Sequence, residues 1–136
     1  MTSKTRKDKA PALSLKDAFE VEFARREMER RKRDEAERKQ QEEDLARAEQ
    51  LFEALRADPQ FLHTRDLTVD RRRYTVSLDH RDFRIQAYFE AGTASVTAAD
   101  KRTATTSTAA PRKQQTVESV EEALAVMAQF LVDESR

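Results

Sequence analysis

Hydrophobic positions divide the chain into a long, mostly polar helix and a compact mixed segment. Between Ser14 and Asp58 the sequence contains neither glycine nor proline, and Ser14 followed by Asp17 is a variant of the N-terminal capping box. Asp58-Pro59 disfavours further helix because the residue before proline avoids helical dihedrals. The pattern therefore predicts a long charged helix over 14–58.

Apolar residues of this helix are concentrated at its two ends. Near the start, Phe19 and Phe23 are four residues apart, and Met28 continues the side of Phe23 less regularly. Near the end a second stripe appears, consisting of Leu45, Ala48, Leu51, Phe52 and Leu55. This stripe is too short for a coiled coil, so we expect it to pack against the domain that follows. Phe19 and Phe23 then require a partner.

Charged residues fill the middle of the helix. Acids precede bases by four residues, as at Glu22 and Arg26, and each such pair stabilises a helix by about 0.2–0.5 kcal/mol. A short basic cluster interrupts this pattern; its members are Arg30, Arg31, Lys32 and Arg33. Acids follow the cluster at once, so we interpret the segment as a solvated helix, with nucleic-acid contact as the alternative.

After Pro59 the hydrophobic period changes from helical spacing to two. Tyr74–Leu78 and Phe83–Phe89 alternate apolar with polar side chains, as half-buried strands do. The polar segment 79–82 is short enough to join them as a hairpin. Two antiparallel strands are therefore predicted here.

Further strands extend this predicted sheet. Gly92, the only glycine in the chain, marks a turn into a third strand at 94–98. Leu67 and Val69 are compatible with a short edge strand before the first hairpin. The stretch 99–115 is rich in threonine, alanine and serine and has no clear period, so we expect a loop there.

The clearest capping box in the chain, Ser119 and Glu122, begins a final helix. Its apolar residues recur at helical spacing and are Val120, Ala123, Leu124, Met127, Phe130 and Leu131. We expect them to form one face that covers the sheet. The predicted fold class is α+β: a long charged N-terminal helix followed by a three- to four-stranded antiparallel meander covered by a C-terminal amphipathic helix.

Three regions result from these patterns: a disordered basic tail at 1–13, the long charged helix at 14–58 and a small α+β domain at 61–136. The order of elements is similar to that of double-stranded RNA-binding domains. Those domains present basic residues at the start of the last helix, where this chain carries Glu118, Glu121 and Glu122. Acids favour the helix N-terminus and repel phosphate, so we assign no family.

Charge and composition limit the classes of function. Lys+Arg and Asp+Glu are 26 each, which gives zero formal net charge and no overall attraction to nucleic acid or anionic lipid. The absence of cysteine excludes disulfides and cysteine nucleophiles, and a single glycine excludes a glycine-rich phosphate loop. The apolar runs are too short to span a membrane, and the N-terminus lacks the apolar region of a signal peptide. We expect a cytoplasmic protein with no cofactor, metal or membrane partner.

Two places carry candidate chemistry in the predicted domain. Asp79, His80 and Asp82 could meet at the hairpin as metal ligands or an acid/base pair, but turns use the same residue types for solvation, so we expect no catalytic residue. A basic run precedes Tyr74 and consists of Arg71, Arg72 and Arg73. It could contact nucleic acid, or it could discourage pairing at a sheet edge.

The preferred prediction is a non-enzymatic protein–protein interaction module, such as an adaptor, assembly or chaperone-like factor. Its partner-binding residues are Phe19, Phe23 and Met28, and the partner is another protein or a second copy of the chain. The alternative is a nucleic-acid-associated regulator. That regulator would use three basic clusters, namely Lys4–Lys9, Arg30–Arg33 and Arg71–Arg73.

Overall fold

A computed structural model of the chain describes residues 14–102 and 111–135. The predicted basic tail at 1–13, including Lys4–Lys9, lies outside these residues. The chain divides into two compact units, Met1–Arg38 and Lys39–Arg136. Within the described residues, no helix is both long enough and apolar enough to cross a membrane.

Three helices and five strands make up the described fold. The helices are α1 (Leu15–Leu55), α2 (Pro59–Thr64) and α3 (Val120–Glu134). The strands are β1 (Thr68–Arg72), β2 (Thr75–Asp79), β3 (Phe83–Glu90), β4 (Thr93–Asp100) and β5 (Pro111–Val117). The α+β class and the long N-terminal helix are confirmed.

Side-chain caps set the ends of the helices. The Asp17 amide donates to Ser14 Oγ at 3.1 Å at the start of α1. After α1 ends, Asp58 Oδ1 accepts from the Phe61 amide at 3.1 Å and caps α2, which begins at Pro59. Sequence periodicity could not reveal α2, because its six residues are too few to show a helical period.

The five strands form one antiparallel sheet in the order β1-β2-β3-β4-β5. Neighbouring strands are consecutive in sequence, as in a meander. Side chains that share the open face run across the sheet in register; one such row is Asp70, Ser77, Gln86, Thr97 and Gln114. The sheet therefore has one more strand than the largest number predicted.

The extra strand comes from the stretch 99–115, where the prediction of a loop was wrong at both ends. β4 continues to Asp100, and β5 begins at Pro111. β5 escapes a hydrophobicity pattern because it is an edge strand and, among residues 112–117, Val117 alone belongs to the buried hydrophobic core. Its backbone pairing with β4 defines it instead. The rest of the predicted loop, 103–110, lies outside the described residues.

The hydrophobic core lies between one face of the sheet and parts of α1 and α3. Fully buried side chains from the strands include Val76, Ile85, Ala87, Phe89 and Val96. Ala48 and Leu51 of α1 join them with no exposed surface. The expected packing of the second apolar stripe against the domain is therefore confirmed.

A buried carboxylate fixes α1 to the β3–β4 turn. Ala91 and Gly92 have φ values of 53° and 87°, the left-handed conformations that a tight two-residue hairpin requires. Their amides donate to Asp44 at 2.9 Å and 3.1 Å. Asp44 is only 4% exposed and also accepts from Gln40 at 3.2 Å. This contact joins residues almost fifty positions apart.

A second buried carboxylate holds the end of α3. Glu134 is 4% exposed and receives hydrogen bonds from Arg102 and Arg112, which flank the segment 103–110. The Arg102 guanidinium also donates to the Glu134 carbonyl at 3.0 Å. These contacts attach the C-terminal turn of α3 to the ends of β4 and β5.

Candidate functional site

The first candidate surface is the N-terminal part of α1, residues 15–38, which we call the α1 tip. Phe19, Phe23 and Met28 are 61%, 54% and 62% exposed. The rings of Phe19 and Phe23 stack on each other with centroids 5.7 Å apart. None of the three belongs to the hydrophobic core. The predicted partner-binding side chains are therefore present on an open helix surface.

These apolar residues occupy two different sides of the helix. Leu15, Phe19 and Phe23 follow at intervals of four, so each lies about 40° from the previous one around the axis. Met28 lies about 140° from Phe23, so it does not continue the side of Phe23. It shares its side with Val21, seven residues earlier and also exposed. We call Leu15, Phe19 and Phe23 the Phe side.

Ion pairs along the helix support the α1 tip without these apolar residues. Arg25 contacts Glu22 and also Glu29, the latter at 2.7 Å, and Arg26 contacts Glu22 at 2.7 Å. Hydrogen bonds from Arg25 and Arg26 lower the pKa of Glu22 to about 2. These ion pairs are exposed to solvent, so each of them favours the helix only weakly. The stacked rings of Phe19 and Phe23 favour the helix to a similarly small extent, and neither ring belongs to the hydrophobic core.

The basic cluster of the α1 tip is only partly neutralised. Arg30 pairs with Glu27 at 2.5 Å and with Asp34 at 3.3 Å. Arg31, Lys32 and Arg33 form no ion pair with any residue in 14–102 or 111–135. Three cations therefore remain available for an acidic partner.

The second basic cluster, at the β1–β2 connection, is largely engaged. Arg71 pairs with Glu49 of α1 at 2.8 Å, and Arg72 pairs with Asp70 at 3.5 Å. The Arg73 guanidinium lies 5.4 Å from the centre of the Tyr74 ring. The structure thus gives Arg71, Arg72 and Arg73 local contacts rather than one shared open surface.

The β2–β3 hairpin holds its polar residues in local contacts as well. Burial raises the pKa of Asp79, but hydrogen bonds from Lys101 and Arg84 outweigh this effect, so that its pKa is lowered overall. His80 Nδ1 accepts from the Asp82 amide at 3.0 Å, and its ring stacks on Phe83. These contacts serve the turn. No group of three or more potential metal ligands lies together in the described part of the chain.

An apolar groove between the end of α1, α2 and α3 was not predicted from sequence. It encloses about 220 Å³, and its lining includes Leu55, Phe61, Leu62, Leu124, Ala128 and Leu131. Phe61 and Leu124 are 45% and 38% exposed at its rim. We call this feature the α2–α3 groove.

The groove corrects one sequence prediction about α3. Leu124 was expected on the face that covers the sheet, yet it is exposed. Ala123 and Met127 are buried as predicted, and Val126, which the prediction did not include, is buried with them. A helical period cannot show which edge of a wide apolar stripe is left uncovered, so α2 and the end of α1 were needed to reveal the groove.

The uncovered face of the sheet forms a polar cleft of about 490 Å³. Its lining residues are Thr68, Asp70, Arg72, Thr75, Ser77, Asp79, Arg84 and Gln86. The acids pair with the arginines on the same face, since Asp70 contacts Arg72 and Asp79 contacts Arg84. This is the usual solvated face of an antiparallel sheet that has its other face on a core.

The first turn of α3 carries Glu121 and Glu122, so this helix start does not offer the basic surface of a double-stranded RNA-binding domain. Glu122 Oε1 also accepts from the Glu118 amide at 2.8 Å, which completes the cap. Comparison of the chain with protein-family models, curated proteins and solved structures finds no match.

Proposed function

We propose that the chain is a non-enzymatic protein–protein interaction module that binds a partner through the α1 tip. The carrying observation is the stacked pair Phe19 and Phe23, each more than half exposed on a helix whose neighbouring charges pair with one another. Met28 adds a second contact on another side of the same helix. The proposed compartment is the cytoplasm, and no cofactor or metal takes part.

The size of the exposed rings supports this proposal. Removing a phenylalanine side chain from water contributes about 1.5–3 kcal/mol, and aromatic residues dominate many protein interfaces. Two adjacent rings can therefore anchor a helix on a partner. Within the helix the stacked pair gains only about 0.2–0.5 kcal/mol, which is less than burial of either ring on a partner would contribute, and Ala and charged residues have equal or better helix propensity.

Replacing both rings, Phe19→Ala with Phe23→Ala, should abolish the complex while the melting temperature of the protein stays nearly unchanged. The measurement is chemical cross-linking of the intact chain in extract of its source cells, followed by gel mass analysis, together with thermal melting by circular dichroism. Tyr88→Thr is the matched control, since Tyr88 is an exposed aromatic residue outside the α1 tip.

Two results contradict the proposal. One is the same cross-linked product in the Phe double variant and in wild type. The other is loss of cooperative melting in the Phe double variant, because it would mean that the rings hold the fold together. Loss of the product in Tyr88→Thr but not in the Phe variant would place the binding surface on the sheet.

The second candidate function is nucleic-acid-associated regulation. It is favoured by Arg31, Lys32 and Arg33, which are consecutive in the sequence of the α1 tip and form no ion pair with any residue that the structure describes. Phosphate binding grows with the number of cations that reach the backbone. Against it stand the ion pairs of Arg71 and Arg72 within the protein. We therefore rank it below protein binding.

A further inference from the structure

α3 is apolar on two sides, and only one of them is covered. Its inner side contributes Val120, Ala123, Val126, Met127 and Phe130 to the core. Its outer side carries exposed Leu124, Ala125, Ala128 and Val132. A surface helix normally has a single apolar stripe, so a second one marks an interaction surface.

The α2–α3 groove adjoins this outer side. Phe61 and Leu62 of α2 and Leu55 of α1 face Leu124 and Leu131 of α3 across the groove. Grooves between helices bind the apolar face of an amphipathic helix through anchors at intervals of three or four residues. The chain offers such a helix itself, because the Phe side repeats every four residues.

An antiparallel register aligns the Phe side with the outer side of α3. The opposed pairs in this register are Leu15 with Val132, Phe19 with Ala128 and Phe23 with Leu124. The interval is four in both helices, so all three pairs can be made at once. Ala128 leaves space for the Phe19 ring, and interfaces favour large side chains against small ones.

The same register brings opposite charges together. Arg26 lies three residues after Phe23, and Glu121 lies three residues before Leu124, so these two face each other. Glu121 is exposed and forms no ion pair with any described residue. Arg26 contacts Glu22 through Nε, which leaves its other guanidinium donors for a further acceptor. A second acid, Asp58, also lines the groove.

We propose that the α2–α3 groove binds the Phe side of a second copy of this chain. This inference rests on the proposed function and names its partner. A single helix bound in a single groove buries a surface area near the lower end of the range found in specific interfaces. The association is therefore weak, and the fraction of associated chains rises as the protein concentration is increased.

Sedimentation velocity of the full chain over a dilution series tests this proposal. The average mass should rise above the 15.7 kDa of one chain as concentration increases. Phe19→Ala with Phe23→Ala should weaken association at least about tenfold, the equivalent of 1.4 kcal/mol. Leu124→Glu should do the same from the groove. Val21→Ala, a truncation of an exposed apolar residue on the other side of α1, should leave association unchanged.

Mixing identifies which surfaces meet. The Phe double variant keeps an intact groove, and Leu124→Glu keeps an intact Phe side. The proposal expects each variant to be monomeric alone and the mixture to associate. If two Phe sides paired, Leu124→Glu would associate alone, and if two α3 helices paired, the Phe double variant would associate alone. Either result overturns the proposal. Circular dichroism of each variant verifies that it is folded.

A charge exchange tests the register. Arg26→Glu and Glu121→Arg should each weaken association by several-fold, and both changes in one chain should restore it. Failure of the double change to restore association contradicts the antiparallel register and, with it, the proposal as stated.

The proposal and the proposed function fail in different ways. A wild-type chain that stays at 15.7 kDa at every concentration overturns binding to a second copy. If the Phe double variant nonetheless loses a cross-linked product of another mass, the α1 tip binds a different protein and the proposed function stands. If no product depends on the Phe side, both are wrong.

Discussion

At the scale of single residues, two buried carboxylates fix the positions of elements that are distant in sequence. Asp44 accepts hydrogen bonds from the amides of Ala91 and Gly92, and Glu134 accepts from Arg102 and Arg112. Buried acids are rare unless they are paired, and both of these are. Each acid therefore connects elements that are distant in sequence.

Asp44→Ala should lower the free energy of unfolding by about 1–3 kcal/mol, because it leaves two turn amides without their acceptor. Asp44→Asn keeps one carbonyl acceptor and should lose less. Urea denaturation measures the difference. The control is Glu43→Ala, an exposed neighbour whose loss should change stability by no more than about 0.5 kcal/mol. Equal behaviour of Asp44→Ala and Glu43→Ala would show that water replaces the carboxylate.

At the scale of elements, polar contacts hold the β2–β3 hairpin to the end of β4. Asp79 lies at the end of β2 and accepts from Lys101 Nζ at 2.8 Å and from the Arg84 guanidinium at 3.3 Å. Its pKa is lower in the folded chain than in the unfolded one. As pH falls, the Asp79 carboxylate is therefore protonated in the unfolded chain before it is protonated in the folded chain. Acid thus reduces the stabilisation that this contact provides.

The sign of this effect predicts how stability changes with pH. The stabilisation by Asp79 is fully present above its unfolded pKa of about 4 and is lost as pH falls through the lower folded value. Asp79→Asn should cost about 1 kcal/mol at neutral pH, discounted for partial exposure, and less below about pH 4. Urea denaturation at both pH values measures this. Asp66→Asn, an exposed aspartate without an ion pair in the described chain, should show no such difference. A cost for Asp79→Asn that stays constant with pH contradicts the assignment.

At the scale of the whole molecule, the charge balance limits binding to nucleic acid. The formal net charge is zero, so only a local cluster can attract phosphate. The candidate cluster consists of Arg31, Lys32 and Arg33, none of which pairs with an acid in the described part of the chain. Long-range attraction by this cluster is reduced by the acids that surround it on α1.

We expect no retention of labelled duplex or single-stranded DNA or RNA in a fluorescence titration at physiological salt. If retention occurs at low salt, it should weaken steeply as salt is added. The triple variant Arg31→Ala, Lys32→Ala and Arg33→Ala should then abolish it. Tight, salt-resistant binding that depends on Arg31, Lys32 and Arg33 would reverse the ranking of the two candidate functions.

The sequence could predict much of the fold because its signals are local. The cap at Ser14, the two-residue alternation around Val76 and Ile85, and the capping box at Ser119 each act within a few residues. β5 escaped prediction because an edge strand needs only its backbone to pair, and its side chains can remain polar. α2 escaped because one and a half turns leave no measurable period.

One of the two candidate surfaces could be predicted from the sequence, and the other could not. Phe19 and Phe23 were identifiable from sequence because the charged middle of α1 separates them from the apolar stripe that packs on the domain, and both are exposed. The α2–α3 groove was not identifiable, since its walls come from three helices separated in sequence. Leu124 has the same hydrophobicity whether it faces the sheet or solvent.

By itself, therefore, the sequence determined the α+β class, the long charged helix, most of the strands and the exposed Phe pair, because dihedral preferences, caps and hydrophobic periods are properties of neighbouring residues. Tertiary structure alone decided the pairing of β5, the attachment of Asp44 to the β3–β4 turn, and which apolar residues of α3 are covered. Those outcomes depend on which distant elements meet, since burial is a property of the assembled surfaces and not of any one segment.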